Sequence, residues 1–208
     1  IKVLPKRIMN KKEQTTIAIA KGYLQKESMK RFEKIGISFE QVSDRKLYII
    51  DKTQTYKCII IRPWDVPTYV EEGGADLGIV GQDVLLEKEK ENQVLKLCDL
   101  KFGKCDLVLA GPNDKMPISL DHNLKVATKF NHSTKKYFDQ IGKKINIIKL
   151  YGAIEIAPQT GLADIICDLT ATGTSLKENN LSIIKTLFSS SAVLISNPSS
   201  LRFQYDQI

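Results

Sequence analysis

Short apolar runs alternate along this chain with segments whose apolar residues recur every three or four positions. Thr15-Thr16-Ile17-Ala18-Ile19-Ala20 predicts a buried strand over 15–20, followed by a tight turn at Lys21-Gly22-Tyr23. Leu24, Met29, Phe32 and Ile35 fall at helical spacing, which predicts a helix over 24–35 with Gly36 as its stop. Strands are expected over 37–42, 46–50 and 57–61. Pro67 opens a short helix that ends at Gly73-Gly74, with Asp65 placed to cap it. Asp76 opens a strand over 75–80, and Asp83 caps a helix running to 89. The pattern then restarts: strands over 106–110, 125–128, 145–150, 163–168 and 192–196, with a helix capped by Ser133 or Thr134 and a short one ending at Asn179. This alternation predicts an α/β protein with mostly parallel strands. Two α/β lobes fit better than one continuous sheet, and the cleft between them is the default ligand site. The expected division is a basic extension over 1–14, lobe I over 15–104 plus 182–208, and lobe II over 105–181.

Composition narrows the function. The 208 residues are 42% hydrophobic and 26% charged, ordinary for a globular protein. No apolar run approaches the ~20 residues of a membrane-spanning helix. The net charge of +7 is unevenly spread: Lys2, Lys6, Arg7, Lys11 and Lys12 stand in the first twelve positions with no acid among them. That leaves 31 less 5, or 26, basic residues against 24 acidic ones in the body. A nucleic-acid binder would cluster its basic residues on a folded face; small anionic substrates suit this distribution. Cys58, Cys98, Cys105 and Cys167 show no C-x-x-C spacing, and three sit in strand-like runs. They read as buried free thiols of a reducing compartment, and with only His122 and His132 in the chain no structural zinc site is expected.

One segment carries chemistry. In 163–176 an apolar strand delivers Asp168 at its carboxyl end, and Leu169-Thr170-Ala171-Thr172-Gly173-Thr174-Ser175-Leu176 follows as a small, hydroxyl-rich turn into a helix. Backbone N–H groups there, with the Thr172, Thr174 and Ser175 hydroxyls, can cradle a phosphate. Gly173 lets backbone approach the oxygens without a Cβ in the way. Asp168 can accept hydrogen bonds from vicinal sugar hydroxyls. Carboxylate beside phosphate cradle points to a ribose 5-phosphate, against the alternative of a capped turn that binds nothing.

The loop resembles the phosphoribosyl-diphosphate loop of phosphoribosyltransferases, without the paired acids of the salvage enzymes, because Leu169 follows Asp168. Further blocks extend the likeness: IAIAKG at 17–22, DVPTY at 65–69 with ADLGIVGQDVLLE at 75–87, FGKCDLVLAGP at 102–112, VATKF at 126–130, GAIEIAP at 152–158 with GLAD at 161–164, and DLTATGTSL at 168–176. In order and at these spacings they resemble the ATP phosphoribosyltransferase family, in its short form. That resemblance implies two lobes like those of type II periplasmic binding proteins. It implies a cytoplasmic enzyme of histidine biosynthesis that joins ATP to 5-phosphoribosyl diphosphate, with Mg²⁺ arriving with the substrates. It also implies a regulatory partner resembling histidyl-tRNA synthetase and a dimer of catalytic chains.

Residue roles follow by matching. Asp168, Thr170, Ala171, Thr172, Gly173, Thr174, Ser175 and Leu176 correspond to the phosphoribosyl loop. Glu155 is a candidate for ribose hydroxyls or a magnesium-bound water, or else a carboxylate favoured at a helix start. Lys21, Gly22 and Tyr23 occupy the family's diphosphate- and ATP-facing turn, with Lys21 and Arg45 as the catalytic cations and no metal ligand assigned. The family's Lys-Gly-Arg is Lys21-Gly22-Tyr23 here, and a phenol cannot hold a polyphosphate in two places as a guanidinium does. The aromatic-Pro after the VAT block is altered at Phe130-Asn131-His132, which makes His132 a surface or cap-adjacent residue. Trp64 reads as packing, with purine stacking as the alternative. The competing functions are a two-lobed small-anion receptor without catalysis, a salvage-type transferase and a degenerate member of the same family.

Overall fold

The computed structural model describes residues 14–39, 47–89, 93–120 and 123–199. Residues 1–13 of the basic extension, Arg45 and His122 lie outside the described residues. The first half contains β1 (Thr15–Ala20), α1 (Tyr23–Lys34), β2 (Tyr48–Ile50), β3 (Tyr56–Ile61), α2 (Val66–Glu71), β4 (Leu77–Gly81), α3 (Gln82–Glu87) and β5 (Leu95–Asp99). The second contains β6 (Cys105–Pro112), β7 (Lys125–Thr128), α4 (Asn131–Gln140), β8 (Asn146–Lys149), β9 (Ile165–Thr170), α5 (Thr174–Glu178) and β10 (Leu181–Ser190), before β11 (Ala192–Ser196). They form two sheets. One has the order β2-β3-β1-β4-β11-β5 and the other β10-β6-β9-β7-β8.

Strand periodicity explains why each sheet is covered on both faces. Ile17 and Ile19 of β1 join Cys58, Ile60, Ile79 and Phe102 on one side. Ala18 and Ala20 join Val66, Val70, Val80 and Leu85 on the other. Successive side chains of a strand point to opposite faces, so a run apolar at every position buries both. β9 repeats this in the second sheet, with Ile166 on one side and Ile165 and Cys167 on the other. Among the described residues, no helix is long and apolar enough to cross a membrane.

The sheets are mixed rather than mostly parallel. β1 pairs in parallel with β3 and β4, and β7 with β8 and β9. The ladders β2–β3, β4–β11, β11–β5, β6–β9 and β6–β10 are antiparallel. The parallel pairs span helical crossovers, the short turn between β2 and β3 makes an antiparallel hairpin, and the other antiparallel ladders join strands distant in the chain.

β10 has no counterpart among the expected elements. Its ten residues carry register breaks at Ile183/Lys185 and Thr186/Phe188, and each break erases the alternation that marks a strand. Because β10 pairs with β6, residues 181–190 belong to the second sheet. The chain therefore returns to the first sheet at Ser191, not at 182. The two crossings pair with each other: Leu100 N–H donates to Ala192 O at 2.9 Å, and Ala192 N–H to Phe102 O at 2.8 Å. The Ser191 hydroxyl donates to both Asp99 carboxylate oxygens at 2.9 Å.

Three expected caps form differently. Asp65 precedes α2 without a side-chain capping bond. Asp83 lies inside α3, after Gly81 at the cap position, and accepts from the Ser190 hydroxyl at 2.7 Å. Phe130, not Ser133 or Thr134, holds the cap position of α4. Cys58 and Cys167 are buried as expected, Cys105 is half-buried, and Cys98 lies exposed on β5, an edge strand. An edge strand with all five residues exposed has no second face to cover. Asp76 is structural: it accepts from Thr16 N–H at 2.8 Å and so ties the start of β4 to β1.

Candidate active site

Lys21, Gly22 and Tyr23 form the turn between β1 and α1. Lys21 N–H donates to Ile61 O at 2.7 Å, and in the parallel register Ala20 lies opposite Ile61. The turn therefore sits beside the carboxyl end of β3, where Arg62 follows as an exposed residue. Gly22 adopts φ 105°, ψ −133°, a region open essentially to glycine alone. A Cβ there would meet nothing within 4 Å. Tyr23 is 64% exposed.

The second turn is built by β9. Asp168 is 8% exposed, and its Oδ1 accepts from Leu169 N–H at 2.8 Å and from Lys129 Nζ at 3.0 Å. Both of these bonds are made by Oδ1, and Oδ2 carries no hydrogen bond or ion pair among the described residues. Beyond Thr170 the loop folds on its own hydroxyls. Gly173 N–H donates to Thr170 Oγ1 at 3.0 Å, and the Thr172 and Thr174 hydroxyls lie 2.9 Å apart. Gly173 is left-handed at φ 75° with no atom within 4 Å of an added Cβ. Ala171, Thr172, Thr174 and Ser175 are exposed, whereas Leu176 is buried and anchors the far side of the loop. The bend is preformed and open.

Glu155 follows left-handed Ala153 in a short 3-10 turn, Ile154–Ile156. Ile154 and Ala157 pack in the same cluster as Leu176, which brings this turn to the flank of the loop. The Glu155 carboxylate makes no hydrogen bond or ion pair with the described residues.

Lys129 joins the two sets. It follows β7, whose Thr128 lies opposite Cys167 in parallel register, and so stands beside Asp168. From the first half, Asp83 is close enough to feel its charge. Burial pushes the Asp83 carboxyl up, opposed by the Ser190 hydroxyl, its own backbone N–H and the Lys129 cation. The helix that follows β4 meets the helix that follows β7, with Glu87 of α3 accepting from the first amides of α4, so the two strands' carboxyl ends lie together, where an α/β sheet places its ligands. Trp64 is packing, as expected: its ring lies 5.5 Å from Phe130 across the lobes.

Sequence reasoning passed over Lys129 and Arg62. Each is the first residue after a buried strand, and that position is the only trace of their role in the sequence. His132 donates its backbone N–H to Glu87 Oε1 at 2.8 Å, and its ring Nε2 lies 3.7 Å from Glu89 Oε1. A cavity of about 310 Å³ lined by Leu86, Glu89, His132, Tyr137, Leu187 and Phe188 contains none of the expected site residues. Burial pushes the Cys58 and Cys167 thiols up to about 12 and Cys105 to about 11, so none of the three supplies a thiolate near neutral pH. Among the described residues, no group of three His, Cys, Asp or Glu side chains converges as a metal site requires.

Comparison with known proteins decides between catalysis and simple binding. Residues 62–208 match the family model described as HisG: ATP phosphoribosyltransferase. The chain belongs to the ATP phosphoribosyltransferase family. An ATP phosphoribosyltransferase of Clostridioides difficile is 46% identical over 194 residues, 93% of this chain and 92% of that one. The ATP phosphoribosyl transferase (HisG:HisZ) complex from Thermotoga maritima contains a chain superposing with a TM-score of 0.80. It is 37% identical, over 93% of this chain and 92% of that one. The periplasmic aliphatic sulphonate binding protein SsuA of Escherichia coli has a TM-score of 0.58, at 14% identity over 94% of this chain and 68% of that one. That likeness shows the two-lobed fold alone, and the receptor reading is not favoured. As an ATP phosphoribosyltransferase, the enzyme condenses ATP with 5-phosphoribosyl diphosphate in the first step of histidine biosynthesis, giving N1-(5-phosphoribosyl)-ATP and pyrophosphate.

Proposed function

We propose that the loop from Asp168 to Leu176 holds the phosphoribosyl half of the donor and that the turn at Lys21–Tyr23 faces the diphosphate and ATP. The observation that carries this reading is the open bend at Gly173, lined by its own hydroxyls, with Asp168 at its base. The 5-phosphate sits on Thr172, Gly173, Thr174 and Ser175 with the backbone of Thr170 and Ala171, while Leu176 anchors the bend from the core. Asp168 Oδ2 accepts from the ribose hydroxyls, and Glu155 reaches the same sugar or a water on the metal. Lys21 and Arg62 lie at adjacent strand ends, so Arg62 offers a guanidinium near the place Tyr23 leaves without one. Arg45 keeps its place in the proposal as a second cation for the diphosphate.

Adenine N1 donates its lone pair to the anomeric carbon as the bond from that carbon to the diphosphate oxygen breaks. The protein's part is to align the two substrates and neutralise charge on the departing oxygens. Magnesium arriving with the diphosphate would supply further neutralisation there, with Glu155 placed to reach a water on it. The reaction takes place in the cytoplasm. The catalytic chain dimerises, and a regulatory subunit resembling histidyl-tRNA synthetase assembles with it, a reading supported by the HisG:HisZ complex among the structural neighbours.

The test is incubation with ATP, donor and Mg²⁺, followed by the near-ultraviolet absorbance of phosphoribosyl-ATP, with and without the regulatory partner. Product is expected in both cases and more of it with the partner. Folded protein that forms none in either case would return the chain to the receptor or degenerate reading.

A further inference from the structure

We propose that Glu87 is a positioning residue for the transfer reaction. From the first lobe it fixes the segment that carries Lys129, and through Lys129 it orients the carboxylate of Asp168. The proposal rests on the reading of the 168–176 loop as the donor site.

The argument begins with a helix that lacks its own cap. The first amides of α4 have no carbonyl four residues back within the helix. Phe130, at the cap position, has only a buried ring to offer. Thr134 turns its hydroxyl backward, donating to Phe130 O at 2.6 Å. The acceptor comes from α3 in the other lobe: Glu87 Oε1 takes His132 N–H at 2.8 Å and Oε2 takes Ser133 N–H at 2.9 Å. Each oxygen takes one amide. A carboxylate at a helix start is favoured by the dipole and by charge-assisted bonding. His132 Nε2 also lies 3.7 Å from Glu89 Oε1.

Lys129 lies three residues before His132, and its other side is fixed as firmly. Thr128 Oγ1 accepts Phe130 N–H at 2.8 Å and donates to Cys167 O at 2.6 Å, one residue before Asp168. Lys129 thus stands between a clamp to the first lobe and a clamp to β9. Its Nζ reaches Asp168 Oδ1 at 3.0 Å and lies 5.3 Å from the Phe130 ring centroid. If the lobes part at α3, the Glu87 bonds break and the backbone carrying Lys129 is released. Lobe position and the orientation of the ribose-facing carboxylate are therefore coupled through one short segment.

The experiment compares Glu87→Ala, Glu87→Gln, Lys129→Met and the Glu87→Ala/Lys129→Met double variant, below the melting temperature of each. Glu87→Ala should lower kcat/KM for phosphoribosyl diphosphate about 10-fold, mostly through KM, and raise the hydrogen-exchange rates of the His132 and Ser133 amides by a similar factor. Glu87→Gln, which keeps acceptor oxygen without charge, should recover part of both effects, and it carries the comparison should the alanine variant not fold. The double variant should be no more than about twofold worse than Lys129→Met alone, because both changes act through one path. A kcat/KM within twofold of wild type, unchanged amide exchange, or losses that multiply in the double variant would overturn the proposal. Gly173→Val tests the loop separately: normal donor binding by that variant removes the donor-site reading itself. A donor-deficient Gly173→Val beside a fully active Glu87→Ala removes only the role of Glu87.

Discussion

The turn after β1 and the loop after β9 begin alike and end differently. Each follows a buried strand, each contains a glycine at positive φ, and at neither glycine would a Cβ touch the protein. The first turn presents the long, exposed side chains of Lys21 and Tyr23. The second is tied to itself by Thr170, Thr172 and Thr174 and rooted on a buried carboxylate paired with Lys129. Rigidity in the second suits a tetrahedral phosphate of fixed shape, because donors already in place lose little freedom on binding. Flexible charge in the first suits a diphosphate that must be released. The proposed function gives recognition to the second turn and charge neutralisation to the first, in keeping with this difference.

The strongest way to break this contrast is to swap the damage. Gly173→Val fills the space the phosphate would occupy, and several charge-assisted bonds at about 1.5–3 kcal/mol each should go with it. Donor affinity by calorimetry should fall by roughly 100-fold or more, while the left-handed strain costs only about 1–2 kcal/mol of stability. Gly22→Ala should do the reverse. Its backbone conformation is nearly closed to side chains, so urea denaturation should show a loss of about 1–3 kcal/mol, with donor affinity changed far less than in Gly173→Val. Equal effects of the two variants on affinity would erase the distinction.

Tyr23→Arg sharpens the contrast from the other side. One added guanidinium on the diphosphate is worth about 1.5 kcal/mol, so kcat/KM should rise roughly tenfold and the gain should shrink with salt. An unchanged or lower value would mean that this turn does not face the diphosphate.

The smallest effect concerns two buried carboxylates, one in each kind of environment. Asp51, in the turn between β2 and β3, is buried, which alone would raise its carboxyl. The Thr53 hydroxyl and the amides of Tyr56, Thr53 and Thr55 outweigh burial and hold it below the usual range. Its contribution is present above the unfolded-state value and lost as pH falls through the lowered folded value. Asp83, beside Lys129, is shifted the opposite way by burial. The folded state then holds the proton more tightly, so stability declines as pH rises from the unfolded value through the raised folded one. Asp83→Asn should flatten that decline and Asp51→Asn the acid-side loss, read as the pH dependence of stability in chemical denaturation. Slopes of the same sign in both variants would contradict the two environments.

Much of this was legible in the chain itself. β1, α1 and β9 announce themselves because their signals are local: continuous apolar runs, helical spacing at Leu24, Met29 and Phe32, and a glycine where the backbone must turn left-handed. The loop at 168–176 was readable for the same reason, since its hydroxyls bond to one another within a few residues. Ile35 fits the helical period yet is 70% exposed, because α1 has already ended at Lys34. β10 was hidden by its register breaks. The α4 cap was misassigned to Ser133 or Thr134 because its acceptor lies 45 residues away in the other lobe.

The sequence alone determined two lobes of strands and helices, the hydroxyl-rich bend after β9 and the family to which they belong, because each is written in neighbouring residues and their spacing. Only the folded chain decided that five of the nine described ladders run antiparallel, that Arg62 stands beside Lys21 and that Lys129 grips Asp168. Only it let Glu87 reach across to hold α4. Those contacts depend on strand register and on the packing of one lobe against the other, and neither is encoded at short range.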